Sequence, residues 1–131
     1  MKAQIPSTHL DLLQDGTRAL AVLATLMPDG SPQVTPVWFN VEGGDLWLNS
    51  AKGRIKDRNM RARPQVALCI LDPRDPYRYL QLRGRVAEIT EEGAVKHIHR
   101  LARKYTGQDW DIPPGEVRVR YRIRIEKVGA H

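Results

Sequence analysis

The chain has 131 residues, 41% of them hydrophobic and 27% charged, with a formal net charge of +6. That length sets an expectation of one domain over residues 1–131, and no apolar run approaches the ~20 residues of a membrane span. The N-terminus "MKAQIPSTHLDLL" has no apolar signal core, and the single cysteine, Cys69, has no partner for an internal disulfide, so a cytoplasmic location is expected.

Ser7 is placed to cap a short helix running to Leu13, with Leu10 and Leu13 facing inward. "RALAVLATLM", residues 18–27, reads as a buried strand and "PDGSP" as turn chemistry. "QVTPVWFNV" reads as a second strand, and Pro36, which donates no backbone hydrogen bond, places it at an edge or a bulge. "EGGD" turns the chain back into "DLWLNS", a third strand joined to the others by tight hairpins.

Nearly all the excess charge sits in one segment. Residues 52–63 carry six bases, Lys52, Arg54, Lys56, Arg58, Arg61 and Arg63, against one acid, Asp57, a net +5. Good helix formers ending before Pro64 predict a helix here, mostly wet, with a thin stripe of Ile55, Met60 and Ala62. "QVALCILD" is a fourth strand and "PRDP" a turn. "YRYLQLRGRVAEI" is a long strand in which Gly84 signals a bulge or a close backbone approach. Residues 90–105 predict a helix capped by Thr90 and closed by Gly107, with Ala94, Val95, Ile98, Leu101, Ala102 and Tyr105 on one face. After a polar loop, "VRVRYRIRI" alternates strictly: Val117, Val119, Tyr121, Ile123 and Ile125 on one side, Arg118, Arg120, Arg122 and Arg124 on the other, outer side. The sum is a mainly β (α+β) chain of six strands with two or three flanking helices, which suits a small antiparallel barrel better than a doubly wound sheet.

A basic segment of this kind asks for an anionic partner. A nucleic-acid-binding barrel fits the charge. It fits poorly with 6% aromatic residues and no run of interleaved aromatics and bases. Arg58, Arg61 and Arg63 read as solvent-facing, and Trp38 and Trp47 as packing. Trp110 reads as either a lid or a surface tuck. His97 and His99, two apart on a helix, do not face each other and make no metal pair. Cys69 reads as a small buried hydrophobe.

The ordered set "PDGSPQVTPVWF", "LNS", "K-x-R-x-K-x-x-N", "RPQVALCILDP" and "PYRYLQLRGRVAEIT" resembles the split β-barrel flavin and deazaflavin oxidoreductases typified by pyridoxamine 5′-phosphate oxidase. Within them it is most similar to the branch of probable F-420-dependent enzymes, which use an 8-hydroxy-5-deazaflavin. The resemblance covers roughly residues 10–127. It implies a six-stranded antiparallel split β-barrel, a homodimer with cofactor sites at its interface, and a reductase acting on a small-molecule substrate with an activated double bond. It implies Arg54 and Lys56 as main phosphate ligands, Lys52 as a lesser one, and Asn49 and Ser50 as tail contacts. Gln33, Val34, Thr35 and Pro36 would lie along the ring system, and Tyr77 and Tyr79 would reach in from the other subunit. The alternative is flavin mononucleotide (FMN) in the same fold. Against it, pyridoxamine phosphate oxidases carry an adjacent Arg-Lys pair and bases on the second strand. Here Ile55 separates Arg54 from Lys56, and "QVTPVWF" has no base. A non-catalytic cofactor carrier on this barrel is a further alternative.

Overall fold

The structure, a computed structural model, describes residues 4–131; the first three residues of the expected domain lie outside it. The strands are β1 (Ala21–Leu26), β2 (Pro32–Val37), β3 (Phe39–Glu42), β4 (Asp45–Ala51), β5 (Gln65–Asp72), β6 (Asp75–Thr90) and β7 (Arg118–Ala130), with helices α1 (Ile55–Ala62) and α2 (Ala94–Thr106). They form one antiparallel sheet in the order β2-β1-β5-β6-β7-β4-β3.

The expected second strand is divided at Trp38. Its first part pairs with β1 at one edge of the sheet, and its second part pairs with β4 at the other edge. A single residue joins the two edges, so the sheet must curl until they meet. The two edges are joined there by the chain and not by a strand pairing, so the curled sheet is a half-barrel split at that seam. Pro36 sits on the edge strand β2, where its missing N–H costs nothing. The six expected strands are thus present, with the second counted twice.

Inward positions alternate as the sequence predicts. Leu23, Phe39, Leu48, Ile70, Leu80, Leu82, Val119, Tyr121 and Ile123 fill the barrel. Gly84 lies at a register shift, and a Cβ there would stand 2.0 Å from the Arg124 carbonyl oxygen, so the close approach requires glycine. Two helical segments differ in detail from expectation. Ser7–Leu13 is a 3-10 helix whose Ser7 hydroxyl makes no cap bond, and Leu12 rather than Leu10 is buried. The neighbouring Asp11 faces Arg78 on β6, which leaves Leu12 to point into the barrel. Helix α2 starts at Ala94, not beside Thr90, because Gly93 adopts a left-handed φ of 74° that separates the acidic turn from the helix. Gly107 closes it as expected. Among the described residues no helix is long and apolar enough to cross a membrane.

Candidate functional site: a cleft with an aromatic wall and a cationic floor

Helix α1 is held by its own polar side. Arg54 is its extended N-cap residue, and Asp57, three positions on, reaches back to accept the Gly53 N–H at 2.9 Å. The same buried carboxylate accepts Arg61 Nε at 3.0 and 3.1 Å and the Tyr121 hydroxyl from the barrel core. Burial, reinforced by this contact with Asp57, drives the Tyr121 phenol far above its ordinary range. Asn59 donates to Thr25 Oγ1 at 3.0 Å, and Arg63 Nε donates to the Leu26 carbonyl at 2.7 Å. The buried stripe is therefore Asp57, Asn59 and Met60, while Ile55 and Ala62 are exposed. Of the three arginines expected to be solvent-facing, Arg58 and Arg61 are exposed and Arg63 is half-buried, and Arg61 and Arg63 also anchor the helix through these bonds. The consequence is a helix start whose Arg54 and Lys56 stand at a fixed place beside the end of β4.

Those two bases open onto a cleft of about 360 Å³. Its cationic side is Arg54, Lys56 and Arg118, with Asn49 between strand and helix; its apolar side is Pro36, Val37, Trp38, Ile98, Leu101 and Trp110. Trp38 stacks on Tyr105 with centroids 5.2 Å apart, and Trp110 meets Trp38 edge-on at 5.6 Å. Tyr105 is pinned by donating its hydroxyl to the Ala19 carbonyl at 2.6 Å. The Trp110 Nε1 is buried without a partner among the described residues.

Arg118 was expected on an open outer face. It is on that face, but α2 and the following loop cover it, leaving it 5% exposed. Its Nε and Nη2 donate to Asn49 Oδ1 at 3.0 and 2.8 Å, and its Nη1 donates to Glu116 Oε1 at 3.2 Å. Burial lowers the Arg118 pKa, as does the nearby Arg54, with Glu116 opposing. Burial also lowers Lys56, followed by repulsion from Arg54 and Arg118. Lys56 makes no hydrogen bond or ion pair among the described residues. Three cations are thus held close, and Glu116 is the counter-charge of two of them, Arg54 and Arg118.

Asn49 is itself oriented from behind. His97 on α2 is buried, and its Nε2 lies 2.6 Å from Asn40 Oδ1 while its Nδ1 lies 3.1 Å from Asn49 Nδ2. An acceptor at Nε2 and a donor at Nδ1 assign one neutral tautomer, protonated at Nε2. Asn49 Nδ2 also donates to the Ala94 carbonyl at 2.9 Å, so its oxygen is left facing Arg118. Burial, then the charges of Arg120, Arg100 and Arg118, push the His97 pKa down to about 4.

Of the residues expected at the site, the cleft gathers Pro36, Asn49, Arg54 and Lys56. The others stand apart within this chain. Gln33 accepts from Thr25, Val34 is 58% exposed on the outer sheet face, and the Thr35 hydroxyl is buried. Ser50 shares the inward face of β4 with Leu48, opposite to Asn49. Lys52 pairs with Glu91 in the open, Tyr77 is 87% exposed, and Tyr79 stacks on His131 at 4.9 Å. Sequence reasoning left out Trp38, Arg118, Glu116, Asn40 and His97. Alternation places Arg118 on the outer face but does not say that a helix covers that face.

Residues 8–131 match the pyridoxamine 5′-phosphate oxidase family. Among solved structures, an F-420 reductase is similar at TM-score 0.84 and 33% identity, over 95% of this chain and 98% of that one. A conserved hypothetical protein from Mycobacterium tuberculosis is similar at TM-score 0.73 and 26% identity, over 98% of this chain and 86% of that one. HupZ of Group A Streptococcus, at TM-score 0.69 and 18% identity over 97% and 94%, shares the fold.

Proposed function

The chain belongs to the pyridoxamine 5′-phosphate oxidase family of split-barrel flavin and deazaflavin oxidoreductases, and on that premise we propose that it is an F-420-dependent reductase acting on an activated double bond of a small molecule. The observation that carries this reading is the pairing, in one cleft, of an aromatic wall with a cationic floor. A planar ring system with an anionic tail matches both halves at once, and about 360 Å³ falls in the ~300–1,000 Å³ range of small-molecule sites. The similarity to an F-420 reductase favours the deazaflavin over FMN.

The donor set fits such a group. Arg54, Lys56 and Arg118 would hold phosphate, with Asn49 fixing the Arg118 fork. Trp38 and Trp110 would exclude water from one side of the ring, and Pro36 and Val37 would hold its edge against β2. The coenzyme, when bound, supplies the hydride. Gln33, Val34, Thr35 and Lys52 would contribute to the ring or tail sites only through a partner subunit or a longer tail, as would Tyr77 and Tyr79, whereas Ser50, buried inside the barrel, would reach neither.

The same reading includes a homodimer in a cytoplasmic setting. The outer sheet face carries a groove of about 500 Å³ lined by Val22, Ala24, Val34, Ala67, Cys69 and Val128. Arg83, Lys127 and Glu126 flank it, charges of both signs that a two-fold axis can pair. A second copy suits such a face better than a partner of one charge sign.

Fluorescence titration with oxidised F-420 and, separately, with FMN tests the coenzyme. Micromolar binding of F-420 that FMN does not match is expected. Yellow purified protein with a flavin spectrum, or tighter FMN binding, would overturn the choice.

A further inference from the structure

Glu116 occupies the place where an anion should go. It lies in the loop between α2 and β7, and its Oε1 accepts from both Arg54 Nη2 and Arg118 Nη1 at 3.2 Å. Its other oxygen, Oε2, is buried with no partner among the described residues. A carboxylate that uses one oxygen for two guanidinium groups and leaves the second unsatisfied is an incomplete answer to the cradle. Lys56, beside them, is unpaired among the described residues. A phosphate offers at least three acceptor oxygens and more than one negative charge. It can satisfy Arg54, Arg118 and Lys56 together, while Glu116 returns its orphaned oxygen to water.

The exchange needs only the Glu116 side chain to turn, since the loop backbone is held by the Glu116 N–H on the Pro113 carbonyl at 3.1 Å and the Lys52 N–H on the Val117 carbonyl at 2.8 Å. Glu116 follows Gly115, whose φ is 81°, and precedes the exposed Val117. Arg54 is itself half-exposed, so one side of the Glu116 pairing already faces solvent. Arg118, by contrast, is fixed from behind by Asn49 and does not have to move.

We propose that Glu116 is an internal competitor for the anion site, a specificity-determining residue that holds Arg54 and Arg118 together and yields them only to a phosphate-class anion. Its carboxylate offsets the repulsion between Arg54 and Arg118 in the absence of ligand. It also sets a threshold, because an incoming anion must outbid a carboxylate already in place. Singly charged carboxylates do not meet that threshold and multiply charged phosphates do. This inference rests on the reading of the cleft as the seat of an anionic tail.

The test uses Glu116→Gln, which keeps the shape and removes the charge, with inorganic pyrophosphate as the probe. Calorimetric titration of wild type and variant gives the affinities. Tighter pyrophosphate binding by the variant, about tenfold, is expected from removing a competing charge at contact distance. Unchanged or weaker binding would overturn the proposal and make Glu116 a residue that merely positions the two arginines. F-420 titrated in parallel separates the two claims. If pyrophosphate tightens while neither protein binds F-420 or FMN, the competition stands and the coenzyme reading fails. If F-420 binds wild type while pyrophosphate affinity does not rise in the variant, the coenzyme reading stands and the competition fails. Should Glu116→Gln not fold, Glu116→Asp replaces it; its shorter side chain does not span both arginines, and a smaller gain in the same direction is expected.

Discussion

His97 Nδ1 accepts from Asn49 Nδ2 at 3.1 Å, and that contact decides which end of the Asn49 amide faces Arg118. The ring is neutral in the fold, with its pKa down to about 4 against an ordinary 6.5. Between those values the unfolded chain binds a proton that the folded chain does not. Stability is therefore full above pH 6.5, falls as pH drops from 6.5 towards 4, and levels off below, the loss amounting to about 3 kcal/mol. Urea unfolding across pH should show this slope, and His97→Gln should flatten it. Equal slopes in the two proteins would mean that other groups cause it.

Asp57 is the fixed point of α1. Asp57→Asn leaves the Tyr121 hydroxyl, the Gly53 N–H and Arg61 competing for a neutral amide. It should cost about 2–3 kcal/mol, or a Tm lower by roughly 5–10 °C. Tyr121→Phe removes one donor and leaves the others, so its cost should be smaller, about 1 kcal/mol. Calorimetry on both variants checks the order as well as the size, and a larger loss from Tyr121→Phe would contradict the anchoring role given to Asp57.

Trp110 and the basic residues act on different parts of a ligand. Trp110→Ala should weaken binding of a ring-bearing coenzyme about tenfold, the effect of removing one face-on or edge-on aromatic neighbour together with its buried area. Inorganic pyrophosphate, which has no ring, should bind the variant as it binds wild type. Parallel losses for both ligands would show that Trp110 supports the loop and does not contact the ring.

Val34, on the edge strand β2, is exposed and lines the outer groove. Val34→Glu puts a charge at the expected two-fold contact and should convert a dimer to a monomer in sedimentation velocity. Unchanged association would remove this face as the interface.

The alternating patterns in the sequence carry most of the fold. The hairpins, the Gly84 bulge and the inward residues of β7 all follow from period-two alternation and turn chemistry, because both are local. The division at Trp38 is not local. It depends on two sheet edges that come together only when the barrel curls. The site was half legible for the same reason. Arg54 and Lys56 stand out as charges in one short segment, whereas Arg118, Glu116 and His97 matter through partners 69, 62 and 57 positions away. One local signal was present and unused. An acid three residues after the N-cap position is a capping pattern, and it marks Asp57 as bound to the helix start.

The most direct test of the account is the affinity of the Arg54→Ala, Lys56→Ala double variant for oxidised F-420, measured by fluorescence quenching beside a circular dichroism control for the fold. The account predicts micromolar binding by wild type and loss of binding, at least a hundredfold, in a variant that still folds, since two charge-assisted contacts contribute about 1.5–3 kcal/mol each. Equal affinity in a folded variant would contradict it.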